Sequence, residues 1–312
     1  MTCVSPLKGW KDRETGGITF RRENATEKME VACGQCNRCR VDRARLWAVR
    51  IAHEGSLHEF DRGNCFVTLT YDREHLPADW SLRKSDFQKF MKRLRKAKRH
   101  RIRFYHVGEY GNICRHRIPA KECPLCNVGR PHYHAILFNH RFDDLFAVGV
   151  KNGVTQYSSH ELVETWGKGM CHVGELNSKT ANYVAGYCLK KITGVRADDH
   201  YMQIGDDGEC VWVQPEYATM SRRPGIGRQW IERYLTDVYP SDEVPVPGVG
   251  VRRGVPRYYD EFLEEMDPQL LEEVKAAREV FRREHGDEYT HSRLMQKYKC
   301  TKARAELLRR EL

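Results

Sequence analysis

The segment 130–138, with the sequence Arg-Pro-His-Tyr-His-Ala-Ile-Leu-Phe, carries two histidines whose spacing suits metal binding. Its apolar and aromatic composition predicts a buried strand, and because side chains alternate along a strand, His132 and His134 share one face. Glu109 ends the preceding predicted strand, and its carboxylate reaches the imidazoles if the two strands pair as antiparallel neighbours. Two imidazoles and one carboxylate with open coordination positions favour Mg²⁺ or Mn²⁺, which also bind phosphate oxygens.

A second segment, residues 179–192, is predicted to be a helix with two tyrosines one turn apart. Tyr183 and Tyr187 are spaced i, i+4 and therefore lie on one helical face, beside Lys179 and Lys190. The apolar positions fall within a different arc, which is the predicted core face: Ala181, Val184, Ala185, Cys188 and Ile192. Since the core face is already filled, the tyrosines are expected to line a cleft. A metal site with tyrosine nucleophiles can break and rejoin a phosphodiester covalently, and a nearby lysine such as Lys190 stabilises the developing charge.

Cysteines form two groups that suggest structural zinc. Cys33, Cys36 and Cys39 are spaced i, i+3, i+6, and Cys3 is a candidate fourth ligand. Zinc is the first choice, with an iron–sulfur cluster or simple buried thiols as alternatives. The second group lies between Glu109 and the predicted histidine strand and contains a Cys-x₂-Cys pair: Cys114, His116, Cys123 and Cys126. A closed tetrahedral zinc site there would hold the loop that joins the two metal-bearing strands.

The cysteine count agrees with this interpretation. There are twelve cysteines, no run of apolar residues long enough to span a membrane, and no apolar signal segment at the N-terminus. We therefore expect a cytosolic protein with no membrane partner, where disulfides are rare and clustered thiols bind metal.

Positive charge is concentrated in one part of the chain. The 312 residues include 53 Lys and Arg against 43 Asp and Glu, a formal charge of +10. Residues 83–103 hold eleven of the basic residues and a single acid. Such a patch suggests a polyanion, most simply DNA, although a solvated helix face is the alternative. The residues proposed to bind DNA are Lys92, Arg93, Lys96 and Arg130.

The predicted elements indicate an α+β fold with a central antiparallel sheet and packed helices. Strands are predicted at residues 65–71, 103–108 and 132–138, with an edge strand at 211–217. Helices are predicted at 43–60 and from Ser85, where Ser85 and Gln88 suit a capping box. The second helix has an apolar stripe at helical spacing: Phe87, Phe90, Met91 and Leu94.

Four ordered segments resemble the motifs of HUH endonucleases: 66–72 (Phe-Val-Thr-Leu-Thr-Tyr-Asp), 108–111 (Gly-Glu-Tyr-Gly), 130–134, and 183–191 (Tyr-Val-Ala-Gly-Tyr-Cys-Leu-Lys-Lys). They resemble in particular the replication initiator proteins of small single-stranded DNA bacteriophages, the Microviridae of gokushovirus type. Residues 33–40 and the basic, glycine-rich segment 221–227 (Ser-Arg-Arg-Pro-Gly-Ile-Gly) also look like those proteins. The similarity covers roughly residues 1 to 235.

The resemblance implies an RRM- or ferredoxin-like sheet and rolling-circle initiation on single-stranded origin DNA in the host bacterial cytoplasm, with a host helicase and DNA polymerase as partners. It places His132, His134 and Glu109 as metal ligands and Tyr183 and Tyr187 as nucleophiles that become linked to a 5′-phosphate. Some relatives carry a lysine where this chain has Gly186, so the lysine role passes to Lys190.

The resemblance and the composition together predict four parts. These are a Cys-rich segment with a helix at 1–62, an HUH endonuclease domain at 63–239, a linker at 240–256, and a charged helical tail at 257–312. Two other functions fit part of the sequence. A non-catalytic, zinc-stabilised DNA-binding protein explains the charge and the cysteines but not the tyrosine face. A zinc hydrolase using His132 and His134 leaves the tyrosines without a role.

Overall fold

The computed structural model describes residues 3–151, 154–186, 191–194, 196–205, 207–286 and 290–310. The strands are β1 (Leu7–Asp12), β2 (Ile18–Thr19), β3 (Ala25–Val31), β4 (Asn64–Thr70), β5 (Arg103–Tyr110), β6 (Pro131–Phe138), β7 (Leu145–Lys151), β8 (Val154–Ser159), β9 (Cys171–Glu175), β10 (Met202–Ile204), β11 (Cys210–Trp212), β12 (Tyr217–Met220), β13 (Glu243–Val246) and β14 (Gly250–Arg253). The helices are α1 (Asn37–Ser56), α2 (Lys84–Ala97), α3 (His160–Trp166), α4 (Ser178–Gly186), α5 (Arg196–Tyr201), α6 (Arg228–Arg233), α7 (Leu235–Val238), α8 (Arg257–Met266), α9 (Pro268–Glu284) and α10 (His291–Arg310). Within these ranges no helix combines the length and the apolarity that crossing a membrane requires.

The chain divides into two compact units. One comprises Met1–Arg43 with Asp267–Leu312 and contains a three-stranded antiparallel sheet in the order β2-β1-β3. The other is Ala44–Met266 and contains the large sheet. The segment 240–256, predicted to be a linker, holds the hairpin β13–β14, because its prolines and glycines alternate with valines such as the buried Val244. The predicted domain boundaries themselves stay a prediction.

The large sheet has seven strands in the order β12-β5-β6-β4-β9-β8-β7, and every neighbouring pair is antiparallel. The predicted α+β fold with a central antiparallel sheet is thereby confirmed. The three predicted strands with chemistry-bearing residues are β4, β5 and β6, at the centre of the sheet. The edge strand predicted at 211–217 is displaced. The edge of the sheet is β12, which starts at Tyr217, whereas β11 pairs with β10 in a separate two-stranded sheet.

Helices cover both faces of this sheet. On the face that we call the rear face, α2 and α3 pack against side chains of β4 and β6: Val67, Leu69, Tyr133, Ala135 and Leu137. On the opposite face, called the site face, α1 and α4 pack against side chains of β5 and β6: Tyr105, Val107, Ile136 and Phe138. The helix that carries Tyr183 thus lies across the site face, as the sequence predicts, and α1 shares that face with it.

Helix α2 begins one residue before the predicted cap. Its N-cap is Arg83, and no side chain caps it. The hydroxyl of Tyr133 accepts a hydrogen bond from the Arg83 amide at 2.9 Å and lies 3.1 Å from the Arg83 carbonyl oxygen. This tertiary contact fixes the start of the helix and replaces the predicted capping box at Ser85. The predicted apolar stripe of α2 is fully buried, which confirms the orientation of the helix.

Helix α4 is shorter than predicted. It spans Ser178–Gly186, whereas the sequence predicts a helix over 179–192. Glycine weakens a helix at its end, and the amide of Ile192 donates instead to the hydroxyl of Tyr201 at 2.9 Å. Ile192 packs against the rear-face cluster, so its predicted place on the core face of the tyrosine helix is wrong.

A buried ion pair joins α1, β5 and the loop before α6. Glu54 and Arg103 are 0% and 3% exposed, and the Arg103 guanidinium donates to the Glu54 carboxylate. The second carboxylate oxygen of Glu54 accepts from the Gly227 amide at 2.8 Å, and Arg103 also donates to the Pro224 carbonyl at 2.9 Å. Each buried charge is therefore matched by a partner and by further hydrogen bonds, which is the condition for tolerating such a pair in a core.

Glu54→Gln should lower the free energy of unfolding by about 3 kcal/mol, because it leaves the buried Arg103 charge uncompensated. Urea unfolding of the full chain measures this change. The matched control is Glu161→Gln, which breaks a half-exposed pair with Lys98 and should cost less than about 1 kcal/mol. Equal losses in the two variants would contradict a structural role for the buried pair.

Candidate metal and nucleophile site

The pairing register of β5 and β6 brings three predicted ligands together. Glu109 lies opposite His132, and Val107 lies opposite His134, so the carboxylate and both imidazoles project from the site face. Glu109 Oε1 is 2.6 Å from His132 Nε2 and 3.1 Å from His134 Nε2. All three ligand atoms lie within 4.8 Å of one another, a spacing that a single ion can bridge.

The ladder between the two strands continues beyond their ends. The Gly111 amide donates to the Arg130 carbonyl at 2.9 Å, and the Arg130 amide donates to the Ile113 carbonyl at 3.1 Å. A side chain at position 129 would collide with the backbone of Gly111, so this close approach requires Gly129. The loop from residue 112 to 129 therefore folds back over itself and keeps Glu109 in register with His132.

Hydrogen bonds at the far side of each imidazole orient the rings. His132 Nδ1–H donates to the Arg130 carbonyl at 3.2 Å, and His134 Nδ1 lies 2.9 Å from the Thr68 hydroxyl oxygen. In that tautomer both Nε2 lone pairs face the Glu109 carboxylate. Histidine ligands of metals ordinarily have their other nitrogen held in this way, so the donor set fits a divalent cation.

The Glu109 carboxylate is ionised although it is only 2% exposed. Burial by itself would raise the pKa of Glu109, but hydrogen bonds and the charges of His132 and His134 lower it to about 2. An anionic ligand in a mostly buried position is what a cation site with open coordination positions needs.

Tyr183 packs directly on this cluster. Its ring meets the His134 ring edge-on, with centroids 5.5 Å apart, and meets Phe66 in the same manner at 6.1 Å. The side chain is 41% exposed, so it can meet a ligand from solvent. Partial burial, and then the negative charge of Glu109, raise the pKa of Tyr183 to about 12. The phenol is therefore protonated at neutral pH until a cation or a phosphate changes its surroundings.

The other residues of the predicted catalytic set are not all placed. Tyr187, Cys188 and Lys190 lie outside the described residues. Lys179 is exposed at the start of α4, one turn before Tyr183.

The structure brings each predicted thiol group together. In the first unit Cys3 lies 3.5 Å from Cys33 and 3.9 Å from Cys36, sulfur to sulfur, so Cys3 joins the three predicted cysteines as a fourth thiol. All four ligand atoms, including that of Cys39, fall within the reach of one ion.

The second group sits in the loop between β5 and β6. His116 Nδ1 is 3.3 Å from Cys123 Sγ, 3.5 Å from Cys126 Sγ and 3.9 Å from Cys114 Sγ. Burial would raise the pKa of Cys123, but hydrogen bonds from the Leu125 backbone and from His116 lower it to about 7. A lowered thiol pKa favours the thiolate that metals bind.

The predicted DNA-binding residues are divided between two places. Lys92, Arg93 and Lys96 lie on α2 and thus on the rear side of the sheet, away from the histidines. The Arg93 guanidinium donates to the Thr165 and Trp166 carbonyls, which end α3. Arg130 lies beside the site, where it donates to the Tyr71 carbonyl at 2.7 Å, and its buried Nε has no hydrogen-bond partner among the described residues.

Two residues of the site escaped the sequence analysis. Thr68 orients His134, and the Phe66 ring stacks on His134 with centroids 5.5 Å apart. The alternation in residues 66–70 already separates Phe66 and Thr68 from the apolar Val67. What the sequence lacks is the pairing of β4 with β6, which places Thr68 opposite His134.

Known proteins resemble this chain over most of its length. A family model for replication-associated proteins of the ORF2 type matches residues 64–192, which include the metal-ligand candidates and Tyr183. The chain is 30% identical over 292 residues to replication-associated protein VP4 of Bdellovibrio phage phiMH2K, a match that covers 88% of this chain and 81% of that protein. It is also 30% identical over 304 residues to replication-associated protein ORF2 of Spiroplasma virus 4, covering 89% and 86% of the two chains. No solved structure matches significantly. The chain therefore belongs to the family of phage replication-associated proteins.

Proposed function

We propose that this protein initiates rolling-circle replication by nicking and rejoining single-stranded phage origin DNA through a covalent 5′-phosphotyrosine. The observation that carries this proposal is the contact between the Tyr183 ring and His134, at the open edge of the cluster formed by Glu109, His132 and His134. A phenol next to two imidazoles and a carboxylate is the arrangement that phosphodiester transfer by tyrosine requires. Membership of a phage replication family supports the same assignment.

Glu109, His132 and His134 would hold a divalent cation, Mg²⁺ or Mn²⁺. When bound, that cation supplies Lewis-acid polarisation of the scissile phosphate. The residues of the chain do the rest: Thr68 and the Arg130 carbonyl keep the imidazoles oriented, and the Arg130 side chain offers an N–H donor to a nearby phosphate.

The Tyr183 oxygen attacks the phosphorus, loses its proton, and forms a new P–O bond while the bond to the 3′ oxygen breaks. The products are a 5′-phosphotyrosine and a free 3′-OH, and the latter primes synthesis by host polymerase after a host helicase has opened the duplex. Attack by a 3′-OH on the phosphotyrosine reverses the reaction and closes the circle. Tyr187 is proposed as the second nucleophile and Lys190 as its cationic neighbour. The reaction takes place in the host cytoplasm.

The competing assignment is a non-catalytic DNA-binding protein stabilised by zinc. The two thiol groups fit that assignment as well as they fit an enzyme. A covalent DNA adduct separates the two functions, because a protein that only binds DNA releases it on denaturation.

Tyr183→Phe and Tyr187→Phe should each retain some single-turnover cleavage, with the adduct on the remaining tyrosine, because either hydroxyl can serve as nucleophile. The measurement is transfer of labelled single-stranded origin DNA to denatured protein in Mn²⁺. The double variant should form no adduct, whereas Tyr157→Phe, a half-exposed tyrosine of β8, serves as the control and should behave as wild type. A single variant as inactive as the double one would mean that only one tyrosine reacts.

His134→Ala should weaken Mn²⁺ binding by more than about 100-fold, since loss of an outer hydrogen bond to a ligand alone costs about 10- to 100-fold. Titration calorimetry of the full chain measures the affinity, and Thr68→Val should fall within that smaller range. The control is His172→Ala, because His172 is on the same face but one strand beyond Thr68. Unchanged Mn²⁺ affinity in His134→Ala would remove this cluster from the metal site.

Elemental analysis should find about two tightly bound zinc ions per chain. Cys39→Ser and Cys126→Ser should each lose one ion, because each leaves three ligands in its group. Cys210→Ser, which alters an exposed cysteine outside both groups, should lose none. Purified protein that is free of zinc and melts normally would show that the thiols are only buried.

A further inference from the structure

A basic cleft lies at the start of β5, at the opposite end of that strand from Glu109. Its volume is about 680 Å³. Five of its lining residues are arginines, and no carboxylate lines it among the described residues: Arg95, Arg101, Arg103, Arg222 and Arg223. Phe104 and Met220 supply an apolar floor.

Most of this positive charge is not neutralised. Glu54 compensates Arg103, but Arg95 donates to the Ile102 carbonyl and Arg101 donates to the Arg223 carbonyl. Carbonyl oxygens orient a guanidinium without cancelling its charge. Burial, and then the charges of Arg101 and Arg103, lower the pKa of Arg95, which shows that like charges are held close together here.

Two further arginines reach solvent at the rim. Arg222 and Arg223 are exposed, and neither has a carboxylate partner within the part of the chain that the structure describes. Their backbone is fixed, because Ser221 exchanges hydrogen bonds with Phe104 at 3.0 and 3.1 Å. The loop therefore presents two guanidinium groups from a held position.

We propose that this cleft binds the phosphodiester backbone of the DNA strand at a distance from the nick; the location of the nick rests on the proposed function. Guanidinium groups pair with phosphate oxygens through two parallel hydrogen bonds and are less strongly hydrated than lysine. Six residues of strand separate Arg103 from Glu109, a distance of about 20 Å. That distance corresponds to roughly six stacked nucleotides. The cleft unites two features of the sequence, the basic run 83–103 and the loop 221–227.

The test is binding of a fluorescein-labelled oligothymidylate of about 20 nucleotides, longer than the spacing between the two sites. Anisotropy is measured in EDTA over a range of salt concentrations, so neither nicking nor a bound cation contributes. A failed nicking assay would then leave this result interpretable. Removing two phosphate contacts in Arg222→Ala/Arg223→Ala should flatten the salt slope by about 1.4 and lower affinity roughly 25-fold at about 0.1 M salt.

The matched control is Arg282→Ala/Arg283→Ala, which removes two adjacent exposed arginines from α9. It should leave the slope near that of wild type, and Arg222→Lys/Arg223→Lys should retain most of the slope because the charge is kept. An affinity within about twofold of wild type, or an equal loss in the control, would overturn the proposal. Displacement of the oligonucleotide by micromolar inorganic phosphate would make the cleft a small-anion site and would overturn it as well.

Discussion

The register between β5 and β6 is the constraint on which the candidate site depends. Side chains alternate along a strand, so a slip of one residue would move Glu109 to the face opposite the histidines. Hydrogen bonds between Gly111 and Arg130 continue the ladder past the strand ends, and β4 fixes the other side of β6. The thiol group in the connecting loop would add a covalent-like restraint if it binds zinc as proposed.

This register also sets the electrostatics of the site. The imidazoles keep Glu109 ionised in a buried position, and the resulting negative charge helps to hold the nearby Tyr183 in its protonated form. A cation at the cluster would neutralise that charge and favour the phenolate. The same few ångströms therefore couple metal binding to the reactivity of the proposed nucleophile, while the arginine cleft at the far end of β5 would hold the rest of the strand.

The sequence predicts the three central strands, the buried stripe of α2 and the grouping of Glu109 with His132 and His134, because strand alternation and helical spacing are local properties. It does not predict contacts that depend on which strands are neighbours. Thr68 and Phe66 join the site only because β4 pairs with β6, and Ile192 leaves the predicted helix because Tyr201 binds its amide. The arginine cleft forms from segments far apart in the chain, where local patterns carry no information.

The most direct measurement is the pulsed electron paramagnetic resonance spectrum of Mn²⁺ bound to the full chain. The proposed site has two imidazole nitrogens and one carboxylate as protein ligands. We therefore expect spin-echo modulation from two histidine nitrogens, reduced to one in His132→Ala or in His134→Ala. A spectrum with no nitrogen coupling, or one that neither substitution changes, would contradict the assignment of this cluster as the metal site.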